Sequence, residues 1–109
     1  MTTATTLARH LQAILQTDVD AVMRDYTEAS VLVMPQGQLA GLAAIRGFFS
    51  QFIASSPPEL FAALTVTHQE LTGEIAYIIW KAEPFIPFAS DTFLIRGGTI
   101  VVQTFAMAS

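Results

Sequence analysis

No cysteine occurs in the chain, so a disulfide framework and a thiolate metal site are both excluded. Charge is scarce as well. Only 13% of residues are Asp, Glu, Lys or Arg, about half the usual ~25%. The five basic residues, Arg9, Arg24, Arg46, Lys81 and Arg96, are scattered and form no stripe, which excludes a nucleic-acid footprint. No apolar run approaches the ~18 residues needed to cross a membrane. Met1-Thr2-Thr3-Ala4-Thr5-Thr6 lacks a basic segment leading into an apolar one, so no signal peptide is expected. These absences lead to the expectation of a cytoplasmic protein that binds neither nucleic acid nor membrane.

What is present is apolar. Hydrophobic residues make up 52% of the 109-residue chain, and net charge is -4. This length suits one domain spanning 1–109, with a single core and space for a small pocket. A chain so poor in charge must hide apolar surface in an oligomer, around a cavity, or both.

Leu7, Leu11, Ile14 and Leu15 recur at helical spacing. Thr17-Asp18 then breaks the pattern and offers a cap, and Val19, Val22, Met23 and Tyr26 resume it. Helices are expected over roughly 3–16 and 18–27. Residues 30–34 read as a strand, Pro35-Gln36-Gly37 as a turn, and 38–40 as a short return strand. A third helix is expected over 42–54, with Ile45, Phe48, Phe49 and Phe52 on one face. Ser55-Ser56-Pro57-Pro58 stops it.

The remainder reads as β: 60–71, with Val66, His68 and Glu70 on one face; 74–83; 89–96; and 99–107. Thr72-Gly73 and Gly97-Gly98 are the turns, the latter a tight hairpin. Helices followed by a meander of strands imply α+β, with three N-terminal helices on one face of a sheet.

Asp91 stands out. It is alone in the apolar run Pro84–Ile95, where a carboxylate must face water, be paired, or stay protonated. His10 falls close to the apolar face of the first helix, within conceivable reach of Asp91. Such a pair would suit general acid/base work; the alternative is a half-exposed helix histidine. His68 has no partners at metal-ligand spacing and reads as structural. Tyr26, Phe49, Phe52, Trp80, Phe93 and Phe105 read as core. Gln103 alternates with Val101 and Phe105 on the last strand, and either meets solvent or is buried with a partner.

Residues 18–31, Pro35-Gln36-Gly37, Gly41-Leu42-Ala43-Ala44-Ile45-Arg46-Gly47-Phe48-Phe49 and the hairpin 91–102 together resemble the NTF2-like superfamily, more narrowly its SnoaL-like and ketosteroid-isomerase-like members. The resemblance implies an NTF2-like (cystatin-like) cone: three helices against a curved antiparallel or mixed sheet. It places Asp91 at the position of an oxyanion-hole acid and His10 near that of its tyrosine partner. Ketosteroid isomerase is a known case of a protonated Asp in that role. The base of such enzymes precedes the Pro-x-Gly turn, where this chain carries Met34. The resemblance turns the aromatics into pocket walls, so Tyr26, Met34, Phe49, Phe52, Trp80, Phe93, Gln103 and Phe105 become candidate ligand contacts.

Two functions follow. One is a SnoaL-like enzyme doing acid/base chemistry (isomerase, cyclase or dehydratase type) on a cyclic or polyketide-like carbonyl compound through Asp91 and His10. The other is a non-catalytic NTF2-like ligand-binding or dimerisation module. The resemblance also implies a homodimer through the exposed sheet face, expected to carry Val66, Tyr77, Ile79 and Val102. No cofactor or metal motif is present, so none is expected.

Overall fold

A computed structural model describes residues 1–108. The first helix, α1 (Thr3–Leu15), starts where the Thr2 hydroxyl accepts a hydrogen bond from the Thr5 N–H, satisfying a donor that the helix start leaves free. Thr17, at φ 53°, breaks it. Asp18 then caps α2 (Val19–Met23) by accepting from the Ala21 N–H. This second helix ends earlier than its periodicity suggests. Strands β1 (Val31–Met34) and β2 (Gly37–Ala40) form the expected short hairpin, followed by α3 (Leu42–Ser55). Gly41 opens α3 at φ 89°, a conformation that a residue with a Cβ adopts only at a cost.

A fourth helix corrects the expected order. Residues 60–63 are not strand but belong to α4 (Pro58–Ala63). Proline presets the helical φ and lacks the N–H that a helix start would leave unpaired, so Pro58 begins this helix instead of merely ending the one before it. Leu60 and Phe61 bury its inner face.

The last four strands are β3 (Thr65–Thr72), β4 (Ile75–Ala82), β5 (Ile86–Arg96) and β6 (Thr99–Ala108). They complete a curved six-stranded sheet in the order β2-β1-β6-β5-β4-β3. All neighbours are antiparallel except β1 and β6, which run parallel, so the sheet is mixed. Gly97 and Gly98 turn the β5–β6 hairpin with both φ values positive, 59° and 75°, the requirement of a two-residue primed turn.

Alternation along β4 sends Ala76, Ile78, Trp80 and Ala82 to the concave, helix-covered face. Ala89, Asp91, Phe93 and Ile95 follow on β5, and Ile100 and Gln103 on β6. Two bulges alter the expected register. One at Thr67 lets Val66 pair with Trp80 while His68 pairs with Ile79. Val66 therefore faces the core, and His68 and Glu70 face outward: the three do not share a face, and Val66 leaves the outer apolar surface. The other bulge falls at Val101, between Ile100 and Val102, so Val101 is out of alternation with Gln103.

Leu7, Val22, Leu32, Ile45, Ile78 and Phe93 are at most 2% exposed, and burial of a side chain of this size contributes about 1.5–3 kcal/mol. The helices and the concave face thereby close around a layer of aromatic rings, with a small space between α1, α3 and the sheet.

Candidate functional site

On α1 the positions 7, 10, 11 and 14 form one stripe, and His10 occupies the place where a fourth apolar residue would sit. It is 2% exposed. The edges or faces of Phe93, Tyr26 and Phe49 meet its ring at centroid distances of 5.5, 5.7 and 6.1 Å. Its hydrogen-bond partner is not Asp91. Nδ1 lies 3.2 Å from Oδ2 of Asp25, a fully buried carboxylate just beyond α2. Arg9 Nε donates to the other oxygen, Oδ1, at 2.7 Å. The Asp25 backbone C=O accepts from the Ile100 N–H at 2.7 Å, which ties the end of α2 to β6. No buried side-chain nitrogen or oxygen among the described residues lacks a partner. His10 Nε2 has no protein partner, so it must open on free space, the cavity that His10 lines.

Asp91 faces the same cavity from β5. Its Oδ1 accepts from Trp80 Nε1 at 2.7 Å and its Oδ2 from Gln103 Nε2 at 2.8 Å. Gln103 is buried, and its carbonyl accepts from the Tyr26 hydroxyl. An indole N–H can only donate, and with the Gln103 carbonyl accepting from Tyr26 the amide presents its NH₂ to Asp91. Every protein partner of Asp91 is thus a donor, so any proton it carries must sit on a lone pair not used by Trp80 or Gln103. Burial pushes the Asp91 carboxyl above its ordinary 3.8, against the opposing pull of Trp80, Gln103 and His10. Burial, with Asp91 and Asp25 nearby, pushes the Tyr26 hydroxyl well above its ordinary 10.0. Tyr26 therefore remains a donor to Gln103.

The cavity has a volume of about 50 Å³, enough for a water molecule or two, well below the ~150 Å³ that holds benzene and far below the ~300 Å³ at which drug-sized pockets begin. His10, Asp91, Gln103, Trp80, Phe49 and Phe93 form its buried end; Phe48, Phe52, Leu64, Leu11 and Phe105 are half-buried at its mouth. Among the described residues no Lys or Arg lines it. Trp80 and Phe105 stack with planes 8° apart, and Phe48 and Phe52 with planes 2° apart.

Of the expected contacts, Phe49, Phe52, Trp80, Phe93, Gln103 and Phe105 line this space. Tyr26 and Met34 do not. Tyr26 stands behind Gln103 and His10, and Met34 is half-buried against the core at the end of β1. Leu11, Ile14, Phe48, Leu64 and Ile78 also line the space; helical spacing puts the first three on apolar helix faces, and nothing in the sequence singles out Leu64 or Ile78. Asp25 was the missed polar residue. Its spacing of three from Val22 put it on a buried helix face, which was the available signal. His68 lies outside the site and pairs with Glu70 at 3.3 Å on the exposed face. Among the described residues no cluster of three His, Cys, Asp or Glu could hold a metal ion, and no helix is long and apolar enough to cross a membrane.

No family model matches the sequence, and no curated protein does. Solved structures do. An NTF2-like protein of unknown function from Burkholderia xenovorans LB400 superposes with a TM-score of 0.80 at 18% identity, covering 98% of this chain and 83% of that one. A proposed SnoaL-like polyketide cyclase from Shewanella denitrificans OS-217 gives 0.72 at 14% identity, over 97% and 90% of the two chains. TerC, crystallised with polyporic acid, gives 0.74 at 10% identity, over 97% and 91%. The likeness at such identities is one of architecture: this chain has the NTF2-like fold.

Proposed function

We propose that the cavity is the active site of a small-molecule enzyme performing acid/base chemistry on a cyclic or polyketide-like carbonyl compound. The observation that carries this reading is that His10 Nε2 and the Asp91 carboxyl open on one apolar cavity, each held from behind by its own partners. A nitrogen lone pair and a carboxyl that face one space can serve as base and, when the carboxyl is protonated, as hydrogen-bond donor.

In this scheme Asp25 accepts the Nδ1 proton of His10 and leaves the Nε2 lone pair free. Nε2 removes a proton from the carbon beside the substrate carbonyl. The C–H electron pair forms the enol double bond, and neutral Asp91 donates its proton to the oxygen as negative charge develops there. Return of the proton at another carbon gives isomerisation. Attack of the enol carbon on a second carbonyl gives an aldol cyclisation, and loss of a β-hydroxyl as water gives dehydration. Met34 supplies no acid before the Pro-x-Gly turn, so His10 takes the base role. With no cation in the lining, a carboxylate on the substrate would be buried without a counter-charge, so the substrate is neutral where it enters. The cavity as it stands is smaller than a ring, so a cyclic compound needs Phe48 and Phe52 to part.

That structures of the same fold include a proposed polyketide cyclase and a protein crystallised with polyporic acid supports the substrate class. A turnover screen of cyclic ketones and lactones with wild type, Asp91→Asn and His10→Gln tests the reading. Equal turnover in all three would remove both residues from the mechanism.

The outer sheet face supports a homodimer. Ile75, Tyr77 and Ile79 on β4, Leu94 on β5 and Val102 on β6 share it by register. Ile75 is 39% exposed and the others half-buried, an apolar stretch that a second copy would cover. Sedimentation of a monomer at micromolar concentration would contradict the dimer.

A further inference from the structure

Among the described residues Arg9 is the one Lys or Arg that reaches the site, and it does so from outside. One residue before His10 on α1, it leaves the helix about 100° away from the histidine. Its side chain is 39% exposed, and Asp25, which it contacts, is completely buried. Nε and Nη2 both lie 2.7 Å from Oδ1 of Asp25, while His10 uses Oδ2. Nη2 also donates to the Gly98 C=O at 3.0 Å, which anchors the guanidinium on the β5–β6 turn. Among the described residues Asp25 has no other ionic partner.

The groups that bear on the His10 ring are few. Asp25 faces it from beyond α2, with Arg9 behind it on α1's own side. Asp91 faces the shared cavity from β5, and the neutral Tyr26 ring lies edge-on. A buried carboxylate with no cation would hold a proton on the imidazole, because an imidazolium is its only available counter-charge. A carboxylate already matched by a guanidinium accepts the Nδ1–H without that demand.

We infer that Arg9 is a positioning residue: by neutralising Asp25 from the solvent side, it keeps His10 uncharged, with Nδ1 protonated and the Nε2 lone pair directed at the cavity. The catalytic meaning of this rests on the reading of His10 as base; the electrostatic arrangement does not. It also explains why a half-exposed arginine is bound so completely to a buried acid. Arg9 never touches the cavity, so it acts only through Asp25.

Long-range proton–nitrogen NMR of the ¹⁵N-labelled full chain across a pH series tests this without any substrate. His68, exposed and remote, serves as an internal control. In the wild type at neutral pH, His10 is expected with Nδ1 protonated and Nε2 bare. In Arg9→Gln the His10 titration midpoint is expected to rise by about one pH unit or more, with His68 unmoved. Arg9→Lys, which keeps the charge, is expected to return most of that rise. An unchanged midpoint in Arg9→Gln overturns the inference, as does a rise in Arg9→Lys equal to that in Arg9→Gln. A neutral wild-type ring protonated on Nε2 also overturns it, and this result needs no variant to fold. A purely structural Arg9 would lower stability and leave the midpoint in place. A shifted midpoint alongside a failed turnover screen would sink the proposed reaction and leave this inference standing; the converse pair of results would do the reverse.

Discussion

His10 and Asp91 line one cavity yet share no hydrogen bond. Asp25 holds the first, and Trp80 and Gln103 hold the second. Had they bonded directly, they would have formed one ion pair with its functional atoms turned inward. Held separately, each keeps an unsatisfied position toward the space between them.

Burial of Asp91 gives a definite pH dependence. Its folded pKa lies above the ordinary 3.8, so the unfolded chain releases the proton first as pH rises. The stability contributed by neutral Asp91 is fully present below 3.8 and is lost as pH climbs through the raised folded value. Asp91→Asn cannot ionise. Urea unfolding of both proteins from about pH 4 to about pH 8 should show the wild type losing ground to the variant as pH rises. Parallel curves would mean that Asp91 is not buried as described.

Tyr26→Phe should destabilise the protein by about 1–3 kcal/mol, because it leaves the buried Gln103 carbonyl without its donor. It should also loosen the Gln103 amide that orients Asp91. Denaturant unfolding measures the first effect, and the side-chain amide signals of Gln103 the second. A change below about 0.5 kcal/mol would contradict the bond, since surface substitutions reach that size.

These networks explain what the sequence disclosed and what it withheld. The apolar spacing of Leu7, Leu11 and Ile14 and the paired glycines of the last turn are readable, because local chemistry and tertiary packing ask for the same residues there; the direction of Asp91 is not, because apolar residues stand on both faces of its run. The bulge at Thr67 was not readable: one unpaired residue reverses the faces of a strand, and nothing in Thr65-Val66-Thr67-His68 marks it. Residues 60–63 look like strand only if Pro57-Pro58 is a stop and nothing more; proline begins helices as readily as it ends them. Apart from its spacing from Val22, Asp25 carries no mark of its role in the sequence, because an acid at the end of a short helix usually meets water. Only the fold brings Arg9 and His10 onto its two oxygens.

Phe52→Ala should widen the cavity mouth. Phe52 is half-buried and packs on Phe48 and Phe61, so its loss should cost less than the ~3–5 kcal/mol of a fully buried Phe→Ala change. Trp80 is the chain's single tryptophan and lies in the lining, so its fluorescence reports occupancy. Two-ring ketones should quench it more strongly in the variant than in wild type. An equal response would place the size limit elsewhere.

The most direct test is exchange of α-protons of small cyclic ketones with D₂O, followed by NMR in the presence of catalytic amounts of protein. Wild type is expected to accelerate exchange, and His10→Gln and Asp91→Asn each to lower that acceleration by about 100-fold or more. Exchange that persists undiminished in both variants, or that wild type fails to accelerate for any ketone small enough to quench Trp80, would contradict an acid/base role for this cavity.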